Sequence, residues 1–509
     1  MLVLTGNELT IEGLISVARH DRKVGPLPLE VAERLQASRA WVAQAVASGA
    51  VIYGVTTGFG PLATTGIPAH ETQRLSRNLV LNCLAGVGDP LPEDIVRAMI
   101  LVRANSLAKG FSGVRSIIVE TLLEMLNRRV TPWVPEKGSL GASGDLAPLA
   151  HIAVVLSKDP DEADGGYSGQ AWYKGALRPG NQAMKDAGLE RQILEAKEGL
   201  ALTNGTTFMS AAGGLALYDA EVIIKHAELA TMLSLEALLG ISAAFHPDLH
   251  AVNNQPGQVA VAARLLAGMR GSRLIDSAPQ KVQDAYSLRC APQVLGSIND
   301  TLAFLHDRFS AAINAASDNP LIFPEGQGQA LSGGNFHGAG PAMWLDFLGI
   351  AVAEAGSIAE RRIFRMLTPE LSSGLPSMLV SDGGLDSGLM VAQYTAAALV
   401  SDNKTLAHPD SVDSIPSSAN QEDHVSMGAN AARHTREIVE NVRIIIAIEL
   451  MCAAQAIDLR PDGPARLGER SRGAYDKIRQ VVPYLEHDRE LTPAILSLEE
   501  LICGETLLG

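Results

Sequence analysis

Residues 138–151 read Gly138-Ser139-Leu140-Gly141-Ala142-Ser143-Gly144-Asp145-Leu146-Ala147-Pro148-Leu149-Ala150-His151. At the centre stands Ala142-Ser143-Gly144, followed at once by an acid. Gly144 has no Cβ, so its backbone can fold back toward the Ala142 carbonyl through dihedrals closed to other residues. Attack of the Gly144 amide nitrogen on that carbonyl carbon, with loss of two waters, closes a five-membered ring. One water comes from the Ser143 side chain and leaves an exocyclic methylidene, a strong electrophile. The competing readings are a phosphate-cradling loop and an inert turn. A phosphate loop wants Gly-Lys-Ser/Thr in a cationic setting, whereas here Asp145 follows the last glycine.

Other segments point the same way. They are Tyr53-Gly-Val-Thr-Thr-Gly-Phe-Gly60, Glu198-Gly-Leu-Ala-Leu-Thr-Asn204-Gly-Thr206, Gln283-Asp-Ala-Tyr286-Ser-Leu-Arg289-Cys290 and Asn420-Gln-Glu422-Asp-His-Val-Ser426. Ser317-Asp-Asn-Pro320 and Ser332-Gly-Gly-Asn-Phe336-His337 join them. Together with Gly138–His151 they resemble the histidine and aromatic amino-acid ammonia-lyases along essentially the whole chain. The resemblance implies a mainly α fold of fumarase/aspartase-like architecture. A long central helix bundle would accompany an irregular N-terminal domain carrying the electrophile loop. It also implies that the ring is 4-methylideneimidazol-5-one (MIO), formed autocatalytically from Ala142, Ser143 and Gly144, with no external cofactor and no metal. A homotetramer whose active sites are each built from three subunits is implied as well.

The reaction must remove a weakly acidic β-proton and expel ammonia, a poor leaving group. By resemblance Tyr53, on a glycine-rich loop, is the base; a phenolate near neutral pH needs nearby cations or donors. Arg289 is the carboxylate anchor, because its planar fork grips both oxygens of an amino acid. Asn204 and Tyr286 resemble residues that polarise the ring carbonyl or hold substrate, and Gln283 belongs to the same substrate-binding set. Asp145 is expected to order the loop or to cap the helix that begins at Leu146. Glu422 can pair with an imidazole or with the substrate amine, and its Gln-Glu-Asp-His setting resembles the histidine-specific members. Phe336 and Met390 match pocket-lining positions.

One position departs from that pattern. Histidine lyases typically carry Ser-His in the segment matching Leu81–Gly86, and here Cys83 stands at the histidine. A thiol is smaller and a weak hydrogen-bonder. This opens the alternative of a lyase or 2,3-aminomutase for another aromatic amino acid, such as phenylalanine or tyrosine. A third reading, from a different class, is a non-catalytic helical assembly protein whose loop never cyclises.

Composition and charge favour a soluble protein with small-molecule partners. Among 509 residues 47% are apolar but only 4% aromatic, so the core must be Ala, Leu, Ile and Val, which suits close-packed helices. The net charge of −15 argues against a nucleic-acid or anionic-membrane surface. The cysteines at 83, 290, 452 and 503 form no C-x-x-C, so neither zinc nor a disulfide framework is expected. His246-Pro-Asp-Leu-His250 lacks the glutamate a zincin needs. The N-terminus shows no basic-then-apolar signal pattern, and the expected compartment is the cytoplasm.

Helical periodicity dominates. It predicts helices over 29–48, 94–108, 114–127, 207–239, 299–316, 342–366 and 430–459, with 444–456 buried despite Glu449. A small hairpin is expected over 165–179, between turns at Gly165-Gly166 and Arg178-Pro179-Gly180, and 159–166 reads as an acidic surface loop. Two domains are expected, 1–200 bearing the electrophile loop and 201–509 forming the helical bundle. The leading functional expectation is ammonia elimination from L-histidine to give trans-urocanate.

Overall fold

The computed structural model describes every residue except 162–165, 327 and 509. The chain folds into two compact units interleaved in sequence. One comprises Met1–Leu215, His306–Asp346 and Pro409–Arg433; the other comprises Ala216–Leu305, Phe347–His408 and the chain from His434 onward. The apolar patterning predicts a single boundary at 200/201. That point falls inside the short Glu198–Thr203 helix, and the loop-bearing unit also gathers two later segments.

In the first unit the Glu93–Ala108 helix is the core, with every residue from Ile95 to Ala108 buried. Helices Ile11–Ala18 and Ser116–Asn127 pack against it. The Gly138–Asp145 loop leads into the Leu146–Leu156 helix, which is apolar nearly throughout and packs on Thr72–Asn82 and Glu198–Thr203. Strands are few and short. Gln170–Tyr173 pairs antiparallel with Ala176–Pro179, Trp172 opposite Leu177. The expected hairpin is thus present but shorter. Its turn is Lys174-Gly175, both residues at positive φ (52° and 75°), as a tight two-residue hairpin turn requires. Gly165, with the middle half of the expected acidic loop (162–165), lies outside the described residues.

In the second unit, the Gly428–Asp458 helix buries all residues from Ile445 to Ile457. Glu449 is tolerated there because Arg362 meets it bidentately, Nε to Oε1 at 2.5 Å and Nη2 to Oε2 at 2.8 Å, while Ser234 Oγ donates to Oε1. Both charged side chains are fully buried, the paired state that such burial requires.

The long helices match the periodicity with one exception. The helix expected over 299–316 runs instead from Ala291 to Ala312. Pro292 sits in its first turn, where a missing N–H is not needed, so it does not delay the start. Among the described residues two helices, Thr207–Ala237 and Ala339–Leu367, are long and apolar enough to cross a membrane by length and composition. In the first, 83% of the apolar window is buried within the protein, as in a core helix.

Candidate active site

The Gly138–Asp145 loop is held by backbone bonds on both sides. Met427 N donates to Leu140 O at 3.0 Å, Gly144 N to Gly141 O at 3.2 Å, and Asp145 N to Gly205 O at 2.8 Å. Ser143 is left-handed (φ +54°), a region that non-glycine residues seldom occupy. Gly144 follows at φ +79°, and a Cβ there would lie 2.3 Å from Gly205 O. Only glycine fits.

The carbonyl of Ser143 receives two donors, Asn204 Nδ2 at 2.7 Å and Gly205 N at 3.3 Å. On the other side, Ser143 Oγ donates to Glu422 Oε1 at 2.7 Å. Glu422 Oε2 accepts from Ser417 Oγ at 2.8 Å and Ser418 Oγ at 2.7 Å. Burial alone would raise the Glu422 pKa, but the hydroxyls of Ser418, Ser143 and Ser417 outweigh it and hold the carboxyl below its ordinary value. It is therefore ionised at neutral pH.

Asp145 departs from the capping expectation. It stands at the start of the Leu146–Leu156 helix, but its side chain makes no cap bond to it. Its Oδ2 accepts instead from Phe208 N at 2.8 Å and Met209 N at 3.2 Å, the first turn of the Thr207–Ala237 helix. Unpaired amides at a helix N-terminus favour an anion. Burial nevertheless pushes its carboxyl up to about 7, against the pull of those amides and of Arg103.

A cavity of about 620 Å³ opens over the loop. Tyr53, Cys83, Ala142, Ser143, Asn204, Phe336 and Glu422 line it together, with Gly144 buried in the loop behind. Gly60 N donates to Tyr53 Oη at 3.2 Å, which supplies the expected donor at the phenol oxygen. Cys83 caps the Thr72–Asn82 helix; burial, then the Glu422 charge, pushes its thiol up to about 11, so it faces the cavity neutral. Asn82, Leu79, Leu200, His337 and His424 share the lining. The two imidazoles stack, with centroids 5.6 Å apart.

Gln283, Tyr286, Arg289 and Met390 are not among the lining residues and belong to the second unit. Tyr286 is 71% exposed, with the Arg289 guanidinium 4.7 Å over its ring. His246 and His250 hold no common site: His250 is buried and bonded to Ala244 O and Gln258, while His246 is exposed. Among the described residues no group of three or more His, Cys, Asp or Glu is placed to hold a metal.

A family model described as aromatic amino acid lyase matches residues 9–480. The chain belongs to the aromatic amino acid lyase family. A histidine ammonia-lyase from Treponema denticola is 47% identical over 504 residues, covering 99% of this chain and 97% of its own. Among solved structures of this lyase family, histidine ammonia-lyase from Trypanosoma cruzi superposes with a TM-score of 0.90 at 40% identity, covering 99% and 94%. Tyrosine aminomutase from Streptomyces globisporus reaches 0.92 at 36% identity, covering 100% and 97%. The mainly helical architecture expected of the ammonia-lyases is therefore the one observed.

Ser417, Ser418, His337 and Arg103 are not among the residues expected from the sequence. The first three adjoin or sit within quoted motifs, so their neighbourhood was the available signal. Arg103 lies in the apolar run Met99–Ala104, where a lone charge marks a buried partner.

Proposed function

We propose that this lyase eliminates ammonia from L-histidine to give trans-urocanate, using MIO formed from Ala142, Ser143 and Gly144. The observation that carries the reading is the ionised Glu422 carboxylate set directly against Ser143. The relatives named histidine ammonia-lyase, 45–49% identical across nearly the whole chain, support it.

The residues fit the ring. Gly144 sits where a Cβ would strike Gly205 O, Ser143 holds the left-handed turn that brings its neighbours together, and the Ser143 carbonyl is already gripped. When formed, the group supplies an electrophilic methylidene that makes the substrate nitrogen a better leaving group. Tyr53 Oη takes the β-proton, and the Gly60 amide steadies charge on that oxygen. Glu422 pairs with the substrate nitrogen or its imidazole. Asn204 and the Gly205 amide hold negative charge at the Ser143 oxygen. Asn82, Cys83, Phe336 and Met390 meet the side chain, and Gln283, Tyr286 and Arg289 bind the carboxylate end.

The last three and Met390 are supplied by neighbouring copies in a homotetramer with shared sites, working in the cytoplasm. Ser143→Ala and Arg289→Ala should each be inactive alone. Co-refolded in equal amounts they should recover roughly a quarter of wild-type activity, because each mixed site can draw one intact residue from each parent. No recovery in a mixed tetramer would place Ser143 and Arg289 in the same subunit's site.

Cys83 decides the substrate. A buried imidazole nitrogen left without a partner costs roughly 1–3 kcal/mol. Cys83→His should therefore lower KM for histidine without a new activity on phenylalanine or tyrosine. Steady-state kinetics of both proteins on the three amino acids checks this. Absence of urocanate from the wild type, with clear cinnamate or coumarate, would overturn the choice of substrate.

A further inference from the structure

We propose that Arg103 is a positioning residue for this chemistry. Its buried fork fixes the Ala201–Gly205 turn so that two donors converge on the Ser143 carbonyl, for ring closure and later for turnover. The proposal rests on the functional reading above.

Arg103 lies in the middle of the Glu93–Ala108 helix and is 1% exposed. Nη1 donates to Ala201 O at 3.0 Å and Nη2 to Asn204 O at 2.8 Å. Asn204 is thus held by its backbone carbonyl from behind while its side chain donates forward to Ser143 O at 2.7 Å. The next residue supplies the second donor, Gly205 N, and accepts from Asp145 N. The guanidinium lies hard against that glycine. A Cβ on Gly205, at φ +135°, would stand 2.4 Å from Nη2 and 2.6 Å from Ser317 Oγ.

The charge is held in place too. Asp318 faces Arg103 electrostatically and is itself fixed by Lys197 Nζ at 2.6 Å and Ser112 Oγ at 2.9 Å, both ends of the Lys197–Asp318 pair being fully buried. Burial lowers the Arg103 pKa to about 10, which leaves it protonated at neutral pH. Burying such charges is expensive, and apolar packing would often serve stability as well or better. What packing cannot do is aim two separate carbonyls. Lysine cannot do it either, since it lacks the planar fork.

Ring closure joins Gly144 N to Ala142 C. The Ala142 oxygen leaves as water with the amide hydrogens of Gly144 and Ser143. The second water takes the Ser143 hydroxyl and its Cα hydrogen, so no oxidant or reductant is needed. Both losses build charge or conjugation at the Ser143 carbonyl, and donors help only if they are already aimed at it.

The test uses full-length Arg103→Lys and Arg103→Gln, read by intact mass, circular dichroism, thermal unfolding and kinetics on histidine. A Leu101→Ala control reports general destabilisation of the same helix. We expect folded Arg103→Lys to retain a substantial population two waters heavier than the wild type. Its matured fraction should show kcat reduced about tenfold or more with KM little changed. Leu101→Ala should mature fully. A folded Arg103→Lys with wild-type mass and kcat would overturn the proposal. So would failure of both Arg103 variants to fold alongside a folded, fully matured Gly205→Ala, because that outcome assigns Arg103 to the fold alone. A wild type that itself lacks the two-water loss would instead defeat the functional reading.

Discussion

Ser143→Ala is expected to purify as a folded protein that never reaches the two-water mass loss and shows no measurable elimination. In the proposed ring the Ser143 hydroxyl is the group whose departure creates the methylidene, and alanine has none to lose. The fold should survive. Position 143 is half-buried and left-handed, and alanine pays about the same backbone cost there as serine. The single side-chain bond lost is the one to Glu422 Oε1, whose carboxylate keeps Ser417 and Ser418 on its other oxygen. Intact mass and a urocanate assay check both halves. Near-wild-type turnover by folded Ser143→Ala would remove the electrophile from residues 142–144.

Glu422→Gln is expected to lose about 10²–10⁴ in kcat/KM while melting close to the wild type. The amide keeps the shape and an acceptor oxygen. Ser417 and Ser418 can turn to accept from the new NH₂, since a hydroxyl serves as donor or acceptor. What disappears is the negative charge beside Ser143, and with it the partner for a substrate cation. Intact mass separates a defect in turnover from a defect in maturation. Unchanged kinetics in a matured Glu422→Gln would send the amine and imidazole contacts elsewhere in the cavity.

The helices were legible because their apolar spacing is set by burial, and burial is what the fold delivers. Thr207–Ala237 and Ala339–Leu367 could be read almost to their ends. Ala291–Ala312 could not, because Pro292 and Gly296 look like breaks until proline is placed in a first turn. The cavity was legible at the level of motifs: Tyr53, Cys83, Asn204, Phe336 and Glu422 converge from segments up to 369 positions apart. Directions of hydrogen bonds were not legible. Asp145 sits where a cap belongs, yet its carboxylate serves a different helix, Thr207–Ala237, which only the folded chain brings near. The discontinuous units were equally hidden, since no composition shift marks 306–346 or 409–433 as partners of the N-terminal segment.

The bond between Ser143 Oγ and Glu422 Oε1 exists only while the hydroxyl does. Under the proposed ring formation, the carboxylate that would greet a substrate is already engaged in the unreacted chain, and the electrophile is not yet made. Loss of the hydroxyl as water would free one carboxylate oxygen and remove one of the three donors that depress its pKa, leaving a stronger base. The arrangement is that of a zymogen without a propeptide. Its inhibitory group would be a single hydroxyl, which the proposed activation discards as water.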